Sequence, residues 1–303
     1  MITLNSDKGL VNIETWDDVI HRPGFVKNLN PREHSLKAIL GRYMLRDSVS
    51  CGLSECHTPH GKGYLVLTND ALETNIGHAC GKKYFGVDFE TLSRKLDRDI
   101  TEKSNRELLV TFSFRIDDLR ERILLSRDGE LGAKRLQSLL RPLRVLSSGC
   151  PEPVVTNILR MVKSRSSVIG TSRQATEEEA LRIEALNNTT LARPHYIEET
   201  IATLKGLDAL FSENDLQLLL VKEIEEPLRK FESEDVDLMP FDVLRKWVKW
   251  VSTVDRCLDR VEEVVTAARS LLTQDNLRPL DVFIRRDDDK NQFKLFLKQL
   301  PVS

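Results

Sequence analysis

The chain has 303 residues, of which 40% are apolar, 30% charged and only 6% aromatic, with a formal charge of −2. That length accommodates two domains, or one domain with an extended helical part, and the richness in Leu, Glu, Arg and Lys suits amphipathic helices rather than a β-sandwich or one broad enzyme core. No run of 18 apolar residues occurs, which argues against a membrane-spanning helix, and the near-neutral balance argues against avid, indiscriminate binding to nucleic acid through charge alone.

The opening residues show no basic stretch followed by an apolar one, so no export leader is expected. Five cysteines are too few for a disulfide framework at this length, and without export the thiols stay reduced. The expected compartment is the cytoplasm.

Residues 1–50 read as a short α/β preamble, punctuated by Arg22-Pro23-Gly24 and Asn30-Pro31, with 35–44 open to a helix or a strand. The texture changes over 51–86, which holds six of the fourteen glycines. The β-prone run Tyr64-Leu65-Val66-Leu67-Thr68, a turn at Asn69-Asp70 and a second extended run to Ile76 predict a hairpin. Turning about Asp70, it sets residues whose numbers sum to 140 across from one another, with His60 facing Cys80 and Lys62 facing His78.

Beyond Gly86, Asp88 is placed to cap a helix in which Phe89, Leu92, Leu96 and Ile100 recur at helical spacing. Phe112, Ile116, Leu119 and Ile123 continue that spacing, while 107–114 also reads as a strand. The chain breaks at Ser147-Ser148-Gly149-Cys150-Pro151, and a basic helix follows to Lys163. Residues 164–176 read as a Ser-rich linker, after which Thr176 and Glu179 form a capping box. Residues 194–211 read as a further helix. Last, Leu244, Trp247, Val251, Val254, Leu258, Val261, Val265, Ala268 and Leu272 alternate steps of three and four, a heptad seam on a helix roughly 50 Å long. Its partner is sought first within the chain, in the helix after Asp88 or over 194–211, and second in another copy.

The fold class expected is therefore mainly α with a small α+β zinc-binding head, its long helices forming a bundle or coiled coil. The divisions expected are 1–87 for the head with its hairpin, 88–240 for a helical body, and 241–303 for the heptad helix and tail. Charge within the body is polarised. Residues 131–175 carry eight bases (Lys134, Arg135, Arg141, Arg144, Arg160, Lys163, Arg165 and Arg173) against the single acid Glu152, whereas 176–240 carry sixteen acids against six bases. Such blocks either pair internally or polarise the surface.

The chemistry concentrates between Cys51 and Cys80. Three of the five cysteines and three of the six histidines fall within those 30 residues, where random placement would put about one. Thiolate and imidazole are the ligands zinc prefers, and four of them close a tetrahedral structural site. Cys51, Cys56, His60 and Cys80 are the preferred set, with His57 and His78 in reserve. A catalytic zinc would need an open position and a general base, for which Glu55 and Glu73 are the nearby carboxylates. Neither His-Glu-x-x-His nor the deaminase pattern occurs.

These features favour a non-enzymatic binding or adaptor protein, with zinc fixing a small head and helices meeting a protein partner or a second copy. The alternative is a zinc-containing nucleic-acid-binding protein using Lys62, Lys82 and Lys83 beside the zinc and Lys134, Arg135, Arg141, Arg144, Arg160, Lys163 and Arg165 on the body, with Tyr64, Tyr84 or Phe85 stacking on bases. A zinc-dependent hydrolase is the lesser alternative.

Overall fold

In the computed structural model, which describes residues 1–6 and 9–302, the extended runs of the first 76 positions build one antiparallel sheet. Its strands are β1 (Ile2–Ser6), β2 (Gly9–Ile13), β3 (Leu36–Ser50), β4 (Pro59–Thr68) and β5 (Glu73–Ile76), in the order β2-β1-β3-β4-β5. A short helix α1 (Trp16–Ile20), held by a Thr15–Asp18 capping box, follows β2. The ambiguous stretch 35–44 is strand β3 from residue 36 onward.

The β4–β5 register is the one that a turn about Asp70 implies: Tyr64 faces Ile76, Leu65 faces Asn75, Val66 faces Thr74 and Leu67 faces Glu73. All four residues of β5 are buried although three are polar. Each polar group is satisfied, as burial requires. Glu73 pairs with Arg22 at 2.7 Å, the Thr74 hydroxyl donates to the Val26 carbonyl at 2.8 Å, and Asn75 Nδ2 donates to the Ser50 carbonyl at 2.9 Å.

Helix α2 (His78–Ser113) begins ten residues before Asp88. Gly86, at φ 55° and ψ −133°, interrupts it with a backbone that few other residues accept, so the predicted start is a kink inside a longer element. Residues 107–113 are helical, with the strand reading overridden by packing: Leu109 and Phe112 are fully or nearly fully buried. Phe89, Leu96 and Ile100 pack with Tyr64, Val66 and Ile76 of the sheet. Gly81 is needed here, because a Cβ would lie 2.3 Å from the Phe89 ring.

Contacts divide the chain into two units, Met1–Thr111 with Val236–Arg245, and Phe112–Asp235 with Lys246–Ser303. In the first, Arg106 explains why so distant a segment belongs: its guanidinium donates to the carbonyls of Asp237 and Met239, each at 2.8 Å, and to that of Val236. Arg98 lies over the Phe241 ring, 5.0 Å from its centre.

The second unit holds α3 (Ile116–Asp128), α4 (Ala133–Arg144), α5 (Glu152–Ser164), α6 (Glu177–Asn187), a π-helical stretch Leu218–Glu225 running into α7 (Glu226–Glu232), and, after the long α8 (Phe241–Leu271) that starts in the first unit, α9 (Gln274–Leu277) and α10 (Asp287–Leu297). The Thr176–Glu179 capping box is present at the start of α6. Two expectations are corrected. Within 164–176 lies strand β6 (Val168–Gln174), and within 194–211 lies strand β7 (Tyr196–Thr203), which pair antiparallel. Val168, Ile169 and Thr171 on one strand and Ile197, Thr200, Ile201 and Thr203 on the other are β-branched, and cross-strand pairing outweighs the helical spacing read over 194–211.

Seven of the nine seam residues are buried within the single chain, Trp247 and Val251 being half-buried. Leu244, Val254, Leu258, Val261, Val265, Ala268 and Leu272 are each no more than 5% exposed. Trp247 and Trp250 stack edge to face, 5.6 Å apart, and both meet Phe231 of α7. Among the described residues no helix is long and apolar enough to cross a membrane. Leu258→Ala is expected to cost about 2–5 kcal/mol, the range for truncating a buried leucine, read as a lower urea midpoint at unchanged slope; a loss under about 1 kcal/mol would contradict the closed packing around α8.

Candidate metal centre

Three elements bring the thiols together. Cys51 follows the last residue of β3, Cys56 sits in the loop before β4, and Cys80 lies in the first turn of α2. The loop is fastened on both sides. Cys51 N–H donates to the Thr58 carbonyl at 3.1 Å, Gly52 N–H to the Asn75 carbonyl at 2.8 Å, and Ser54 N–H to the Leu29 carbonyl at 2.9 Å. Leu53, wholly buried, pins its middle in the core. A Cβ on residue 52 would stand 2.1 Å from the Thr74 hydroxyl, so glycine permits the loop to lie against β5.

The sulfurs of Cys51, Cys56 and Cys80 all lie within 4.8 Å of one another, and those of Cys56 and Cys80 are 3.2 Å apart. A tetrahedral zinc with bonds of about 2.3 Å sets its sulfurs about 3.8 Å apart, so small side-chain adjustments bring the trio to three corners of such a site. Three cysteines this close can hold a metal ion.

Their protonation differs. Donation from the Thr58 hydroxyl, then from its backbone N–H, brings the Cys56 thiol down to about 7. Burial first, and the neighbouring thiols second, hold Cys80 and Cys51 above the ordinary thiol range. Near neutrality, one sulfur is half ionised and two keep their protons.

His60 is not among these ligand atoms. Its Nδ1 lies 3.0 Å from the Thr58 carbonyl and its Nε2 2.6 Å from the Tyr43 hydroxyl. A carbonyl only accepts, so Nδ1 carries the proton and Nε2 accepts from Tyr43. Sequence register set His60 opposite Cys80, but β5 ends at Ile76 and the chain enters α2 at His78, so His60 pairs with Val49 of β3 instead. His57, at φ 51°, is exposed. The His78 ring packs edge-on to Phe89, their centres 5.7 Å apart.

Sequence reading missed the polar support of the trio. Asn75 Nδ2 donates to the Tyr43 hydroxyl at 3.3 Å, Tyr43 donates to His60, and His60 donates to the same Thr58 carbonyl that accepts from Cys51 N–H. This chain orients the loop that carries Cys51 and Cys56. Its one sequence signal is the run of polar residues in a short, otherwise β-prone strand. Both carboxylates considered as general bases are engaged: Glu55 with Arg32 at 2.9 Å and the Tyr84 hydroxyl at 3.1 Å, Glu73 with Arg22.

The candidate nucleic-acid contacts are scattered. Lys62 is exposed on β4, Lys82 pairs with Glu90 at 2.8 Å, and Lys83 lies over the Tyr84 ring. Tyr64 is buried, and Tyr84 and Phe85 pack against the core of the first unit. On the second unit, Arg144 pairs with Asp215, Arg165 with Glu213, and Arg173 with Glu179 and Glu199, so the basic and acidic blocks meet in part. Lys134, Arg135 and Arg141 on α4, and Arg160 and Lys163 on α5, are exposed and make no ion pair among the described residues.

Comparison with protein-family models, with curated proteins and with solved structures returned no match to this chain.

Metal binding at the trio must displace the remaining protons. Above about pH 7 one divalent ion is expected to release about two protons, giving an affinity that climbs about 100-fold per pH unit, and below it a third proton steepens the slope. Competition with a chelator between about pH 6 and pH 8 checks this; an affinity flat in pH would show that the thiols are not the ligands.

Proposed function

We propose that the chain is a non-enzymatic binding protein whose first unit is fastened by a structural zinc ion on Cys51, Cys56 and Cys80. The observation that carries this is the convergence of three sulfurs from the end of a strand, a loop and a helix start. Soft thiolates select zinc over magnesium or calcium. Structural sites are closed by four ligands, and with both ring nitrogens of His60 engaged the fourth is drawn from the reserves His57 and His78. Hydrolysis at this zinc would need a free general base, and the engagement of Glu55 and Glu73 counts against it. Free thiols of this kind persist in a reducing compartment, in keeping with a cytoplasmic protein.

A protein partner would meet the helical body. Because the seam over 244–272 is largely buried in its own chain, a partner or second copy would use other faces. Mass spectrometry of the native chain is expected to find one zinc per molecule. Cys80→Ser should lose it, together with hydrogen-exchange protection over residues 1–111, while Phe112–Asp235 keeps its protection. Native protein free of metal, or an unaltered first unit in the variant, would overturn the reading.

One observation favours nucleic acid as partner: five exposed cations on α4 and α5 make no ion pair among the described residues. Reversing Arg160 and Lys163 to Glu is expected to reduce the slope of log affinity against log salt by about 1.8 for a duplex, since two phosphate contacts are lost. An unchanged slope would remove these residues from any such interface.

A further inference from the structure

The three sulfurs are not equivalent. Cys51 is 2% exposed, and its Sγ faces the Asn75 carbonyl at 3.9 Å. Cys56 and Cys80 are only half-buried, and their sulfurs stand 3.2 Å apart. They also belong to different kinds of segment. Cys80 rides in a helical turn, whereas Cys56 sits in an irregular loop whose own backbone N–H reaches Leu53 at 3.2 Å. A disulfide needs its sulfurs at about 2.05 Å, so a shift of about 1.2 Å, of the size a loop side chain makes by rotation, joins this pair. Cys51 is held back on both sides by the hydrogen bonds of Cys51 N–H and Gly52 N–H.

We propose that Cys56 and Cys80 form a reversible thiol pair that a peroxide oxidises to a disulfide, expelling the metal and leaving Cys51 reduced. The inference rests on the metal reading for its second half only. The Cys56 thiolate attacks one peroxide oxygen, the O–O bond breaks, and Cys56 becomes a sulfenic acid as hydroxide leaves. The Cys80 sulfur then attacks the Cys56 sulfur, the S–S bond forms and a second hydroxide leaves. The two sulfurs give up two electrons, the peroxide accepts them, and the proton of the Cys80 thiol together with one from solvent converts the hydroxides to water. One remaining thiolate cannot hold a zinc ion that had three, so the ion departs. The new bond ties the Cys56 loop to the first turn of α2, the same two segments the metal tied, so release leaves that junction covalently closed.

The test uses the whole chain as isolated. Hydrogen peroxide is added in amounts equal to the protein, a chromogenic chelator follows zinc, and peptide mass mapping after alkylation locates the thiols. The expected result is loss of two of the three thiols, a fragment linking Cys56 to Cys80, release of one zinc, and recovery of both thiols with dithiothreitol. Cys51→Ser should still form the link, and Cys56→Ser should not. A link through Cys51, sulfinic acid without a link, or unreacted thiols at about tenfold excess of peroxide would overturn the proposal. If the isolated chain holds no zinc, the structural-metal reading fails, yet the same mapping on the metal-free chain decides the Cys56–Cys80 pairing by itself.

Discussion

A buried amide needs hydrogen-bond partners, and Asn75, 2% exposed at the centre of β5, finds them by gathering the head around itself. Its side chain donates to Ser50 at the end of β3 and to the hydroxyl of Tyr43, while its carbonyl accepts from Gly52 and faces the Cys51 sulfur. The end of β3, the cysteine loop and the His60 ring are thereby set relative to β5. Since α2 begins two residues after β5 ends, the same strand delivers Cys80. The sulfur trio is thus a consequence of a short polar strand that can be buried only with its hydrogen bonds complete.

A metal ion at the trio would complement the hydrogen bonds for a reason of size. The head is built on a five-stranded sheet with two small apolar clusters, and a unit of that kind gains much from a further fastening. In the second unit α4 packs against α5, and α4, α5 and α8 each bury leucines or valines. Charge follows the same logic. Arg144 meets Asp215 where both side chains are largely buried and Arg165 meets Glu213 at the surface, whereas the outer faces of α4 and α5 keep their cations in water.

Local chemistry settled a good deal of this in advance. The hairpin register about Asp70, the capping box at Thr176 and the buried face of α8 depend on residues a few positions apart, and each is present as the spacing implies. The clustering of Cys51, Cys56 and Cys80 was equally visible, because loop and hairpin are contiguous in sequence.

What tertiary structure alone decided involves competition between distant partners. The strands β6 and β7 exist because each supplies the other's hydrogen bonds across more than twenty residues, which no local pattern states. The helix start moved from Asp88 to His78 because Phe89 packs over Gly81, making Gly86 a kink rather than a boundary. His60, chemically a good ligand, was taken by Tyr43 and Thr58, since a ring nitrogen satisfied inside the sheet is not also at the sulfurs. The sequence by itself determined which residues have metal-binding chemistry and which faces are apolar; the fold decided which of them meet, because hydrogen-bond satisfaction in a buried sheet is settled only when every strand is in place.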